Sequence, residues 1–224
     1  MRAAHPATAL LLFLTAAFAG SGCQLVRRLP FLSGEPLPPP QAFKDENLDH
    51  GLVHRVLALP LYDESGFSTR SDVVSDSLRD ELIRLGRFGV VRPTASDAML
   101  KSADGPHGNG RIPVATMIEL GRRYGVDAVL FGAISHYRPY APPALGLSVS
   151  LIDVQTGRIL WSVTDFVDGS DQRCAVSMRW YFEDETATEE TVFGSELMHT
   201  SPRWFARFAS QRIVHTLLPP LQTE

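Results

Sequence analysis

The alternation of apolar and polar positions predicts a folded domain that begins near residue 53. Residues 56–61 form an almost continuous apolar run, which is typical of a strand buried on both faces. Apolar residues then recur at steps of three and four over 74–85, as on one face of an amphipathic helix. A second apolar run at 88–91 predicts a short strand, which Pro93 ends.

The second half of the pattern predicts a helix, three strands and a closing helix. The helix covers 113–124, and a buried strand follows at 128–134. Strict alternation on both sides of a turn predicts a β-hairpin over 145–167, and apolar residues every fourth position predict a helix over 201–218. The order β-α-β-α-β-β-β-α indicates the α/β class, with one α/β sandwich domain built on a mixed sheet.

The N-terminal segment has the order of a secretory signal peptide. Arg2 precedes an apolar run over residues 7–19, and the small residues Gly20, Ser21 and Gly22 follow. The run is too short for a stable membrane helix, which needs about 20 apolar residues. We therefore predict that residues 1–22 are a signal peptide, which is absent from the mature protein.

Cys23 stands directly after Ser21-Gly22, and this site resembles the lipobox read by the bacterial lipoprotein signal peptidase. The usual Leu at the third position before the cysteine is Gly20 here, and ordinary cleavage after Gly20-Ser21-Gly22 is the alternative. Acylation of Cys23 with fatty acids such as palmitate would tether the chain durably to a membrane. Cys174 would then have no partner for an internal disulfide, and we interpret it as a small, partly buried side chain.

Residues 23–52 are predicted to be a linker between this anchor and the α/β domain, residues 53–224. Pro36 and the run Pro38-Pro39-Pro40 favour extended polyproline geometry and oppose regular hydrogen-bonded structure. Such a spacer would hold the domain tens of ångströms from the membrane.

An acidic insertion over 168–200 precedes the closing helix. Between 168 and 196 it carries eight acidic residues and two basic ones. Its aromatic residues Trp180, Tyr181 and Phe182 allow two interpretations: a helix packed on the domain, or an exposed patch that docks a partner.

Composition narrows the classes of function. Hydrophobic residues make up 44% and charged residues 21% of the 224 positions, values that are ordinary for a globular protein. A net charge of -4 without an arginine-rich stripe argues against nucleic-acid binding. No histidine pair has metal-ligand spacing and no nucleophile motif is present, so we predict no metal, no cofactor and no enzymatic activity.

The elements carry a family resemblance in their order and in several short motifs. The motifs are the strand at 56–63, the Leu-Gly at the end of the first helix, the strand at 88–92, Leu120-Gly121, the run 126–132 and the hairpin turn at 153–162. This series resembles the curli-secretion lipoprotein CsgG family and the related periplasmic domain of the penicillin-binding-protein activator LpoB. The resemblance implies an α/β sandwich on a lipid-anchored chain. Membrane-spanning hairpins have apolar residues at alternate positions, where they face the lipid. The acidic insertion lacks this alternation, so we do not expect a pore.

Three functional hypotheses follow. The first is a non-enzymatic envelope lipoprotein that binds proteins in secretion or surface assembly, as a CsgG-like subunit. The second is an LpoB-like periplasmic regulator of a cell-wall synthase. The third is a hydrolase whose site includes Glu183, Asp184 and Glu185 of the acidic insertion. The first two place the chain on the periplasmic side of a bacterial membrane, preferably the outer one. Its partners would be the membrane, through Cys23, and an envelope protein or further copies of itself.

Overall fold

One mixed seven-stranded sheet with four α-helices forms the domain, which confirms the predicted α/β class and its sandwich architecture. The structure, a computed structural model, describes residues 34–48, 51–66, 71–94, 97, 112–185 and 201–218. The strands are β1 (Gln41–Lys44), β2 (Arg55–Ala58), β3 (Tyr62–Asp63), β4 (Gly89–Val91), β5 (Ala128–Arg138), β6 (Ala144–Asp153) and β7 (Ile159–Asp168). The helices are α1 (Ser71–Leu85), α2 (Val114–Tyr124), α3 (Gln172–Glu185) and α4 (Pro202–His215).

The sheet has a parallel half and an antiparallel half. Its strand order is β1-β7-β6-β5-β2-β4, and β3 pairs with β5 beyond the end of β2. Strand β2 runs parallel to both β4 and β5. Strands β5, β6 and β7 form an antiparallel meander, as the predicted hairpin requires. The chain therefore reaches the meander only after α1 and α2 have crossed the parallel half.

Pro60 interrupts the first predicted strand. Ala58 pairs with Leu130, whereas Tyr62 pairs with Ala133, so the strand that contains Pro60 has one residue more than its neighbour between these pairs. Proline has no N–H to donate, and a bulge accommodates it within the sheet. The single strand predicted at this position is therefore divided into β2 and β3.

The larger core lies between the sheet and helices α1 and α4. Val74, Leu78 and Leu82 of α1 are buried with Phe205 and Ile213 of α4. The apolar steps seen in the sequence thus mark the faces that pack on the sheet. Trp161 of β7 is fully buried among them, and its indole Nε1 donates a hydrogen bond of 2.9 Å to Thr216 Oγ1 at the end of α4.

Helix α2 packs on the opposite face of the sheet, over β2, β5 and the end of β6. Met117 and Leu120 are buried there against Leu57 and Val129. Gly121 allows the close approach, because a Cβ at this position would lie 2.1 Å from Cγ2 of Val154. No helix among the described residues is long and apolar enough to cross a membrane.

The sheet includes residues that the sequence prediction assigned to the linker. Gln41–Lys44 forms the edge strand β1, antiparallel to β7. Lys44 Nζ donates a hydrogen bond of 3.1 Å to the carbonyl oxygen of Leu217, and Asp45 forms an ion pair with Arg158 at 3.2 Å. The compact unit that contains the sheet begins at Leu37, so the folded part starts earlier than residue 53.

Candidate partner-docking helix

Helix α3 carries the three aromatic residues that the sequence suggested for docking, and the structure separates them. Tyr181 is buried, and its ring lies 5.7 Å from that of Phe208 in α4. Phe182 is partly buried, and its ring centroid lies 6.4 Å from that of Trp204. Trp180 is 52% exposed. Tyr181 and Phe182 therefore pack on the domain, as the first interpretation predicts, whereas Trp180 is exposed. Docking through Trp180 stays a prediction.

The inward side of α3 fixes the helix to the larger core. Cys174 and Met178 are fully buried in it, at the spacing of one helical turn. Burial raises the pKa of the Cys174 thiol to about 12, so the side chain remains a neutral thiol. The side chain is thus more deeply buried than the sequence interpretation expected, and it is a poor nucleophile.

Two acidic side chains shape the turn that leads into α3. Hydrogen bonds from the backbone N–H and the hydroxyl of Ser170 hold the pKa of Asp168 below its ordinary value. A hydrogen bond from the Arg173 guanidinium, together with one from its backbone N–H, lowers the pKa of Asp171. Asp171 thereby caps the first turn of the helix. These carboxylates serve the local structure of the turn and the start of α3.

The end of the Pro-rich segment is attached to α3 and α4. The Leu37 N–H donates a hydrogen bond of 2.8 Å to Ser177 Oγ in α3. The carbonyl oxygen of Pro38 accepts one of 2.7 Å from Arg212 in α4, and Arg212 also pairs with Asp165 at 2.9 Å. The chain therefore enters the domain beside α3, one helical turn from Trp180.

The hairpin turn of the family resemblance is built by side-chain to backbone bonds. Asp153 Oδ1 accepts hydrogen bonds from the N–H groups of Gln155 and Thr156 and from the Thr156 hydroxyl. Gly157 takes a φ of 70°, which glycine adopts without steric cost. These residues shape the turn, and their geometry gives them a structural role.

The side chains that could take part in catalysis or metal binding do not cluster among the described residues. Among the described histidines, His54 is on a loop, His136 on β5 and His215 at the end of α4. The described residues contain no cluster of histidine, cysteine and carboxylate side chains that could hold a metal ion. Cys23 and the side chains of Glu183, Asp184 and Glu185 lie outside the described residues.

One family model matches part of this chain. The model of the peptidoglycan-synthase activator LpoB family matches residues 69–165, which cover α1 to most of β7. A comparison with curated protein sequences gives no match. The family match supports the LpoB part of the resemblance and gives no support to the CsgG part.

Several solved structures are similar at low sequence identity. The PelC dodecamer from Paraburkholderia phytofirmans is 15% identical, with a TM-score of 0.42, over 75% of this chain and 94% of PelC. Lipoprotein GNA1162 from Neisseria meningitidis is 16% identical, with a TM-score of 0.43, over 61% of this chain and 99% of its own. The LpoB C-terminal domain from Escherichia coli is 23% identical, with a TM-score of 0.39, over 52% of this chain and 84% of its own.

Proposed function

We propose that this chain is an envelope lipoprotein that activates a cell-wall synthase by binding to it. The observation that carries the proposal is the match to the peptidoglycan-synthase activator family across α1, β4, α2 and the meander. Activation by binding requires no catalytic group, and the proposal assigns no bond-making step to this chain. The family match supports the LpoB-like regulator, the second of the three hypotheses, better than the CsgG-like subunit.

The proposal includes the predicted export and anchor. Residues 1–22 are removed as a signal peptide, and Cys23 carries the lipid that holds the chain on the periplasmic side of the outer membrane. Labelling cells with a clickable fatty acid tests this part, because the label is expected on the full chain and not on Cys23→Ser. Equal labelling of both chains would contradict lipidation at Cys23.

Trp180 is the residue that we propose as the anchor of the docking surface. Exposed tryptophans dominate many protein interfaces because they bury a large apolar surface with little loss of side-chain entropy. The packing of Tyr181 on Phe208 and of Phe182 on Trp204 holds α3 rigid, which keeps the Trp180 backbone in place. A fixed position lowers the entropic cost of binding.

The test is a glycan polymerisation assay with the peptidoglycan synthase from the same organism. The purified full chain in detergent micelles should raise the rate severalfold and should co-purify with the synthase from solubilised envelopes. Trp180→Ala should weaken stimulation by at least tenfold, since hot-spot truncations cost about 2 kcal/mol or more. Ile83→Ala is the matched control, because Ile83 in α1 is 55% exposed and should be neutral.

The possible results separate the activator proposal from the choice of Trp180 as its docking residue. A chain that neither stimulates nor co-purifies with the synthase is not an activator. Stimulation that is equal in wild type, Trp180→Ala and Ile83→Ala would retain the activator and reject Trp180 as its docking residue. Co-purification of only further copies of this chain, without the synthase, would favour a homo-oligomer instead of a synthase complex.

A further inference from the structure

The meander has one face that no described helix covers. Helices α1 and α4 pack on one side of the sheet, and α2 covers the opposite side only near β2, β5 and the β6–β7 turn. The remainder of that side is here called the open face. It is formed by Gln41 and Phe43 of β1, Ser162, Thr164 and Phe166 of β7, Gly146, Ser148 and Ser150 of β6, and Phe131, Ala133 and His136 of β5.

Hydroxyl groups occupy the centre of the open face. Ser150 pairs with Ser162 across β6 and β7, and Ser148 pairs with Thr164 two residues further along. The four side chains form a grid with spacings of about 5 Å across the strands and about 7 Å along them. Within it the Thr164 hydroxyl donates a hydrogen bond of 3.2 Å to Ser148 Oγ. The Ser150 and Ser162 hydroxyls make no hydrogen bond to the described residues, so each can still donate and accept.

Aromatic rings border this grid. Phe43 is 55% exposed and Phe166 is 56% exposed, on adjacent strands. The His136 ring lies 5.5 Å from that of Phe166 in an edge-to-face arrangement. Gly146 lies beside this pair: a Cβ at this position would lie 2.6 Å from Ser135 Oγ and 3.3 Å from both His136 Cβ and Phe166 Cδ2. The absence of a side chain at position 146 thus keeps the ring pair low against the strands.

The open face has almost no formal charge. A face that is simply solvated normally carries long charged side chains, as on the outer faces of antiparallel sheets. The ionised side chains on this side of the described meander are Arg138 and Asp168, at one end of the grid. They neutralise each other in an ion pair of 3.1 Å. The strands of the open face therefore present no ionised side chain to a ligand other than this ion pair.

The grid continues into a shallow cavity with a volume of about 120 Å³. Its lining consists of Tyr62, Ile112, Phe131, Gly132, Ala133, Ser148 and Ser150. The lining contains aromatic and small apolar groups with three hydroxyls and no ionised side chain. Small-molecule sites commonly combine apolar walls with a few polar groups that fix orientation.

We propose that the open face binds a neutral polysaccharide, with one sugar ring in the cavity and further rings across the hydroxyl grid to Phe166. A sugar presents hydroxyls that match the grid and an apolar ring face that packs on aromatic side chains, and it needs no ionic partner. The ligand would be a glycan strand or other neutral polymer of the envelope. This inference is independent of the proposed synthase activation, because α3 and the open face lie on different elements.

Isothermal titration of the full chain with two neutral tetrasaccharides, tetra-N-acetylchitotetraose and maltotetraose, tests the proposal. The detergent must lack a sugar headgroup. We expect at least one of the two to bind with a dissociation constant below about 1 mM. Phe166→Ala should weaken binding about three- to tenfold, as expected for one aromatic contact. Thr164→Val removes a hydroxyl at constant shape and should weaken it by a similar factor.

Ile83→Ala is the control and should leave the affinity unchanged, because Ile83 lies on α1, is 55% exposed and is not part of the open face. The variants are exposed, so their thermal unfolding should match that of the wild type within about 0.5 kcal/mol. Absence of binding by both tetrasaccharides would overturn the proposal, and so would equal affinity in wild type, Phe166→Ala and Thr164→Val. Dimerisation at micromolar concentration that Phe166→Ala abolishes would also overturn it, because a second copy would then cover the face.

Discussion

The contact between α2 and the turn after β6 gives the sharpest test of the fold, through Gly121→Ala. A Cβ on Gly121 would lie 2.1 Å from Cγ2, 3.0 Å from Cγ1 and 3.1 Å from Cβ of Val154. Rotation of the Val154 side chain moves the two methyl groups and leaves its Cβ in place. In every rotamer the contact with the Val154 Cβ therefore stays tight, and α2 and Val154 must separate by a few tenths of an ångström.

Two opposing terms set the magnitude. Alanine is favoured over glycine in a helix interior by about 1 kcal/mol. Overpacking a dense core costs about 1–3 kcal/mol, and a contact this short belongs at the upper end. The displacement also loosens the smaller core, where Met117 and Leu120 contact Leu57 and Val129. We expect Gly121→Ala to lower the free energy of unfolding by about 1–2 kcal/mol, although its helix propensity alone would raise it.

Urea unfolding of four chains measures this effect: wild type, Gly121→Ala, Val154→Ala and the double variant. Val154→Ala alone should cost about 1–2 kcal/mol for the lost methyl groups. In the double variant the new methyl occupies the space that Val154 vacates, so the two changes should be coupled by at least about 1 kcal/mol. Ala115→Gly, at an exposed position of the same helix, calibrates the propensity term. A more stable Gly121→Ala chain with no coupling to Val154 would refute the close approach.

Three further predictions concern charged and titratable groups. Arg212→Met should lower the free energy of unfolding by about 3 kcal/mol, because Asp165, whose side chain is 12% exposed, would lose its ion pair; urea titration checks this, and an unchanged midpoint would contradict it. In the Cys23→Ser chain, Cys174 should react with iodoacetamide at pH 8 about a thousandfold more slowly than a thiol of ordinary pKa, since its pKa is about 12; labelling at the ordinary rate would contradict its burial. The folded-state pKa of Asp168 lies below its ordinary value, so its stabilising contribution is present above about pH 4 and is lost as pH falls through the folded-state pKa. The midpoint temperature of thermal unfolding should therefore fall less steeply between pH 6 and pH 2.5 in Asp168→Asn than in the wild type. Superimposable plots of midpoint temperature against pH would contradict this.

Local periodicity was sufficient to predict most of the fold. The apolar steps in α1 and α4, the alternation in β6 and β7 and the small residue at 121 each reflect contacts made by one face of one element. The bulge at Pro60 also follows from a local property, its missing N–H. Features of this kind can be inferred from a short window of sequence.

Features that depend on distant partners could not be predicted. Gln41–Lys44 has no alternating apolar pattern, and it forms a strand because β7 offers a free edge beside it. Trp180 and Tyr181 are adjacent aromatic residues, and the sequence does not indicate which of them is exposed. Tyr181 is the buried one because it faces α4, where the Phe208 ring lies 5.7 Å away. The open face could not be predicted either, because it depends on the side of the sheet on which each helix packs.

The position of Leu37 also changes the reach of the proposed tether. The sequence placed the linker at residues 23–52, whereas the compact unit begins at Leu37 and is fixed to Ser177 and Arg212. Residues 23–36 would then be the tether and would span about 43 Å when extended. A deletion that tests reach must end before Leu37, because removing β1 would disturb the sheet. Deletion of residues 24–33 should shorten the reach by about 31 Å. We expect the deleted chain to lose complementation in cells and to stimulate the synthase normally in micelles, where no membrane sets the distance. Full complementation by the deleted chain would show that reach does not limit the function.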